Sequence, residues 1–214
     1  MIGVETPVTV LLLILNGMVS GYAFAVDQSL IDRFAFRPDR ILRYGEYHRL
    51  ITAGFVHVGI GHLAFNMITL YFFGPLLEIL MGSVAFTVLY FGSELAAHGL
   101  SLLLNSDDPH YSAIGASGAV SGVVFSFCLF RPRAMLGVFF VIPMPAIVFA
   151  VLYVVGSVYA MQQRGHEGQV GGGIAHEAHL GGAVGGLLLT IILDQRALPT
   201  FVREMGALFN QIGF

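Results

Sequence analysis

Long apolar runs, broken by short polar stretches, divide this chain into six membrane-length segments and a tail. Crossing about 30 Å of hydrocarbon takes roughly 20 helical residues, and the runs have that size. Thr6 to Val26 carries no charge and predicts span one. Asp27 to Arg49 is polar, with five arginines, three aspartates and Glu46. Span two is expected over about 58–80, broken by Gly82, and span three over Ser83 to Leu104, with Glu94 and His98 inside it. Asn105-Ser106-Asp107-Asp108-Pro109 is a turn signal. Span four is expected from Ser112 to Phe130, stopped by Arg131-Pro132-Arg133, and span five from Leu136 to Met161. A glycine-rich loop, Gln162 to Gly173, leads into span six, Ile174 to Leu193.

The tail has a different pattern. Leu198, Phe201, Val202, Met205, Leu208, Phe209 and Ile212 recur at helical spacing among Arg203, Glu204, Asn210 and Gln211. An amphipathic helix lying in the membrane interface is expected there. Backbones in lipid must satisfy their own hydrogen bonds, so the fold class expected is an all-α membrane protein. It comprises a six-helix bundle over residues 1–194 and an amphipathic C-terminal helix over 195–214, with no repeat and no second domain.

Composition agrees with lipid as the solvent. The chain is 56% hydrophobic and 11% charged, with mean hydropathy +0.80; soluble domains carry about 25% charged residues. The net charge of −3 offers no basic footprint for nucleic acid. The single cysteine, Cys128, excludes an intramolecular disulfide. The first apolar run lacks a basic leader and a small-residue cleavage site before Asp27, so it reads as a retained membrane helix. Arginine counting alone puts the Asp27–Arg49 loop on the cytoplasmic side.

Ionisable and polar groups inside membrane spans are costly and mark functional sites by default. His62 and Asn66 are four apart and share one helix face; helix-to-helix hydrogen bonding is the plain alternative for them. Ser117 lies in Gly115-Ala116-Ser117-Gly118. Gly118 with Gly122, Gly181 with Gly185, and Gly182 with Gly186 form small-residue faces that bring spans four and six together. Ser117 and His179 each lie about five residues into their spans, at matched depth. A serine hydroxyl needs a base to take its proton, and a neutral imidazole does that and later protonates the leaving amine. His62, Asn66 and the Ser117 amide are candidate donors to the oxyanion, where losing one donor costs about 3–4 kcal/mol. Glu177 lies two residues before His179, and helical residues two apart do not face each other, so a Ser–His dyad is favoured.

Taken in order, these motifs resemble the rhomboid intramembrane serine proteases. The matching text is Arg49-Leu50 with Thr52, Phe55-Val56-His57, His62-Leu63, Asn66-Met67, Phe73-Gly74, Glu78, Gly115-Ala116-Ser117-Gly118 and Ala178-His179-Leu180-Gly181-Gly182. The resemblance implies Ser117 and His179 as catalytic residues, with oxyanion contacts from His62, Asn66 and the Ser117 amide. It implies Gly115 beside that site and His57 shaping a water-filled cavity. It also implies single-span membrane proteins as substrates, no metal or organic cofactor, a cytoplasmic N-terminus, an outward-facing site, and residence in a prokaryotic plasma membrane. The Gln162–Gly173 loop would then cap the site. Two departures stand out. His48-Arg49 replaces the family's Trp-Arg, and Ser121 stands where the family has an aromatic packed on the catalytic histidine, which leaves Phe125 or Phe127 to support the His179 ring.

Three other readings compete. Eight histidines invite a metal or haem site, although no HExxH is present; chelator sensitivity would reveal one. A transporter would show internal repeats and polar groups near the bilayer centre. A catalytically inactive relative that binds membrane clients would ordinarily lack the serine or the histidine.

Overall fold

The computed structural model describes residues 5–138, 141–164 and 175–212. It begins with α1 (Pro7–Ala25), whose Pro7 suits the first helical turn. The polar stretch that follows folds into three short helices, α2 (Ser29–Phe34), α3 (Pro38–Tyr44) and α4 (Arg49–Thr52), with a 3₁₀ turn over Ala53–Phe55. Then come α5 (Ile60–Met81), α6 (Ser83–Asn105) and α7 (Ser117–Phe130). An antiparallel hairpin, β1 (Met135–Val138) and β2 (Ile142–Pro145), precedes α8 (Ala146–Arg164), α9 (His176–Leu193) and α10 (Ala197–Ile212). Among the described residues α1, α5, α6 and α9 are long and apolar enough to cross a membrane, and α7 and the apolar part of α8 are shorter.

Two expectations need correction. The chain is mostly helical, but the run expected to be one long span five opens as the β-hairpin. Pro143 and Pro145 cannot sit inside a helix without losing amide donors and clashing with the preceding turn, so the helix starts only at Ala146. Span four likewise starts at Ser117 and not at Ser112. The intervening residues run extended because Phe36 and Ala113 pair across a β-bridge.

α7 lies at the centre of the bundle: every residue from Gly118 to Phe130 except Phe127 is buried. Its apolar face joins Leu12 of α1, Leu70 and Leu77 of α5, and Phe86 and Leu89 of α6 in the main core. Two charged groups tie the frame together. Glu78, near the end of α5, accepts hydrogen bonds from the Val8 amide (2.9 Å), the Thr9 amide (2.8 Å) and the Thr9 and Ser83 hydroxyls (both 2.7 Å). It therefore satisfies amides that the first turn of α1 cannot pair internally. Arg49, 4% exposed, donates to Glu46 Oε2 (2.6 Å) and to the carbonyls of Asp32 and Ala35 (both 2.7 Å), which pins the first loop into one shape. The Arg49 hydrogen bond and charge hold the Glu46 carboxyl below its ordinary value.

Candidate active site

The segment around Ser117 is held from four directions. Phe36 and Ala113 exchange backbone hydrogen bonds (2.9 and 3.1 Å), and the Gly115 amide donates to the Ala53 carbonyl (2.9 Å). The Ala116 amide donates to His57 Nε2 (3.3 Å), and the Ala119 amide to Glu94 Oε2 (2.9 Å). Ser117 is thereby fixed as the first residue of α7, where its own amide has no carbonyl partner within the helix. Gly115 has φ of +112°, which disfavours a side chain, and a Cβ there would run into the His62 ring.

His179 reaches Ser117 from the first turn of α9, with Nε2 2.8 Å from Oγ. Glycine permits the approach. A Cβ on Gly182 would collide with the Gly118 carbonyl, and one on Gly186 with the Gly122 backbone. Gly181 and Gly185 turn the other way, where Cβ atoms would meet Ala96 of α6. The two small-residue faces of α9 thus serve different partners. One layer further from the site, the Thr190 and Ser126 hydroxyls lie 2.6 Å apart across the α7–α9 contact.

The remaining expected residues gather around the same helix end. The His62 ring packs edge-on against His57, with centroids 5.0 Å apart, and against Gly115. Asn66 is buried, and its amide donates to the His62 carbonyl (3.1 Å). His57 is fully buried. The Ser20 hydroxyl donates to the Phe55 carbonyl (2.9 Å), so it accepts from His57 Nδ1 (2.9 Å), which leaves Nε2 as the acceptor for Ala116. His57 is therefore the neutral Nδ1–H tautomer, an orienting group for the nucleophile's backbone. Among the described residues no three of His, Cys, Asp or Glu converge as metal ligands would.

The sequence profile described as the Rhomboid domain matches residues 44–196. The chain belongs to the rhomboid family. It is 30% identical over 171 residues to RHOMBOID-like protein 12, mitochondrial, of Arabidopsis thaliana, covering 73% of this chain and 49% of that protein. It is 34% identical over 95 residues to the putative rhomboid protease YdcA of Bacillus subtilis (strain 168), covering 44% and 47%. It is also 37% identical over 81 residues to inactive rhomboid protein 1 of Drosophila melanogaster, covering 38% of this chain and 6% of that protein. The matched region spans about half the length of the first two relatives. Rhomboid membership and the apolar helices make the chain an integral membrane protein.

Within this rhomboid domain the support for the histidine ring differs from the expectation. Neither Phe125 nor Phe127 stacks on His179. Tyr153 of α8 does, with centroids 6.4 Å apart and planes 24° from parallel. Its hydroxyl lies 2.7 Å from Ser121 Oγ. Phe125 packs against Tyr153 at 5.2 Å, while Phe127 packs against Phe73. The polar positions that mark the site in the sequence do not include Tyr153. The available signal was a tyrosine in an apolar helix, because a buried phenol needs a polar partner, and Ser121 supplies one.

The other ionisable groups keep structural places. His98 Nδ1 donates to the Leu50 carbonyl (2.8 Å) and its ring stacks on Phe36 at 4.5 Å. Glu177 accepts from the Tyr111 hydroxyl (2.6 Å). His176 stands edge-on to His179 with centroids 6.4 Å apart. Residues 165–174, most of the expected capping loop, lie outside the described residues.

Proposed function

We propose that this rhomboid-family chain is an intramembrane serine endopeptidase that cleaves the transmembrane helices of single-span membrane proteins, with Ser117 as nucleophile and His179 as its base. The observation that carries the reading is the 2.8 Å approach of His179 Nε2 to Ser117 Oγ. At that distance Nε2 takes the hydroxyl proton as Oγ bonds to the scissile carbonyl carbon. The oxyanion receives the Ser117 amide, whose donor direction follows from its place at the start of α7, together with donors from His62 and Asn66. The imidazolium then protonates the departing amine, the acyl–Ser117 ester remains, and water activated by the same imidazole hydrolyses it. Gly115 keeps the His62 side of the site open, and His57 holds the Ala116 backbone. No metal or organic cofactor enters this scheme.

A helical substrate hides its carbonyls in hydrogen bonds, so it must unwind at the cut, and small or helix-breaking residues there help. Lateral access past α8 suits such a substrate. In this reading α7 and α8 also cross the bilayer, giving a six-span domain over 1–194, and α10 lies in the interface over 195–214. The N-terminus is cytoplasmic, and the membrane is a prokaryotic plasma membrane.

The test is cleavage of a model single-span substrate in detergent or liposomes by wild type, Ser117→Ala and His179→Ala. Both variants should lose cleavage to background while remaining folded, and a fluorophosphonate probe should label wild type at Ser117. Equal cleavage by all three proteins would overturn the proposal. Tight substrate binding with no Ser117-dependent cleavage would instead favour a client-binding rhomboid protein.

A further inference from the structure

Tyr153 is held by α7 while it touches the base on α9. Its hydroxyl is 2.7 Å from Ser121 Oγ, one turn below the nucleophile. Phe125 of α7 and Phe149 of α8 flank the ring, at 5.2 and 5.6 Å between centroids. The face that remains lies near-parallel to His179. A histidine has two side-chain torsions, and its Nε2 meets Ser117 only when both are set. His176, edge-on on the same helix, borders the ring from another direction. The 14-residue helix that carries the nucleophile supplies no ring against His179, because Ser121 occupies the nearest turn.

Resting on the Ser117–His179 reading above, we infer that Tyr153 is the positioning residue for His179, fixed in turn by Ser121, and that the base is aligned only when α8 is seated against α7. Tyr153 transfers no proton. Its ring restricts the imidazole plane, and its hydroxyl bond to Ser121 restricts the ring. A consequence concerns substrate: a transmembrane helix that docks against α8 and pushes it from α7 turns the base away, whereas one that leaves the Tyr153–Ser121 bond intact is cut. The aligned state of the base therefore depends on a helix that carries neither reacting group.

The experiment compares Tyr153→Leu, Tyr153→Phe, Ser121→Ala, the double variant Tyr153→Phe/Ser121→Ala and a Phe73→Leu packing control, in full-length protein in micelles or liposomes. Misplacing a catalytic group by an ångström costs up to about a hundredfold, so Tyr153→Leu should lower kcat by about tenfold or more, with KM within about twofold of wild type. Tyr153→Phe and Ser121→Ala each remove the same hydrogen bond and should each lower kcat by about fivefold. The double variant should lose no more than either single one. Phe73→Leu, which removes a ring packed on Phe127, should leave kcat near wild type. A Tyr153→Leu enzyme with wild-type kcat, or a loss matched by Phe73→Leu, overturns the inference.

A second readout does not depend on cleavage. The His179 ring proton, assigned by its disappearance in His179→Asn, should carry an aromatic ring-current shift in the Ser117→Ala protein that vanishes on adding Tyr153→Leu. If wild type shows no Ser117-dependent cleavage, the protease reading fails, and this resonance still decides the positioning claim. A His179 signal indifferent to Tyr153→Leu overturns it.

Discussion

The contact between α7 and α9 and the contact of α8 with that pair are built on opposite principles. α7 and α9 meet backbone to backbone, with Gly182 and Gly186 set against Gly118 and Gly122 and no room for even a methyl group. α8 meets them through rings and a hydroxyl, by way of Tyr153, Phe125 and Ser121. Its other face is exposed at Val148, Val151, Leu152, Val155 and Tyr159. The first contact sets where the Ser117 and His179 backbones lie. The second sets how one side chain is turned. In lipid, where apolar burial between helices gives little advantage, close backbone packing and interhelical hydrogen bonds supply the attraction. The glycine seam uses the first of these and α8 the second.

The largest expected effect comes from filling the seam. A Cβ at position 182 meets carbonyl backbone that cannot swing away as a flexible side chain would. Gly182→Ala should destabilise the protein by about 1–3 kcal/mol and abolish cleavage. The shape of the loss separates the two contacts: denaturant or thermal unfolding in mixed micelles should fall together with kcat for Gly182→Ala, while Tyr153→Leu lowers kcat with a smaller change in unfolding. Val155→Ala on the outward face of α8 should stay within about 0.5 kcal/mol of wild type. A Gly182→Ala protein as stable and active as wild type would remove the rigid half of the contrast.

Much of this division is legible in the sequence. The helices α1, α5, α6 and α9 follow from apolar runs of membrane length that carry at most one acidic residue each, and their ends lie within about two residues of the expected ones because charges and glycines bound them. The Ser117–His179 encounter follows from two glycine faces and matched depth, both of which are local patterns. What stays hidden depends on contacts distant in sequence. Hydropathy reads Leu136 to Met161 as one span because the hairpin strands are as apolar as the helix after them, and only Pro143 and Pro145 argue otherwise. The extended lead-in to Ser117 is imposed by Phe36, 77 positions away from its partner Ala113. Tyr153 is invisible to any periodicity, since its role depends on a packing angle between α8 and α7.

A smaller effect sharpens the seam's composition. Below the glycines, Thr190 and Ser126 add hydroxyl contacts across the same two helices. Such bonds in membrane bundles contribute about 0.6 kcal/mol on average, well under the cost of overfilling the packing. Thr190→Val, which keeps the shape, should therefore lower stability by about that amount and leave kcat unchanged. A loss as large as that of Gly182→Ala would mean that polar contacts, and not close packing, hold α7 to α9.

The smallest expected effect concerns the loop that braces the lead-in to Ser117, and pH reads it. Glu46 has its carboxyl lowered chiefly by the Arg49 hydrogen bond, against some opposition from burial, with the charges of Arg49, Arg40 and His48 adding to the lowering. A lowered folded-state value means that the stabilisation is fully present above the unfolded value, near 4.5. It is lost as pH falls through the lower folded value. Arg49 keeps its bonds to the Asp32 and Ala35 carbonyls whichever form Glu46 takes. Near neutral pH, Glu46→Gln should unfold at a slightly lower temperature than wild type. The gap should narrow as pH falls below 4.5 and close once pH has passed the lower folded value, where both proteins carry an uncharged group at this position. Each protein is its own reference for every other carboxylate, so the difference isolates this one pair. Glu78, which caps α1 through the amides of Val8 and Thr9, is unchanged by the substitution and cancels in the comparison. A gap that is independent of pH would assign the Glu46 contribution to shape alone and leave Arg49's carbonyl bonds as what holds the loop against Ala113.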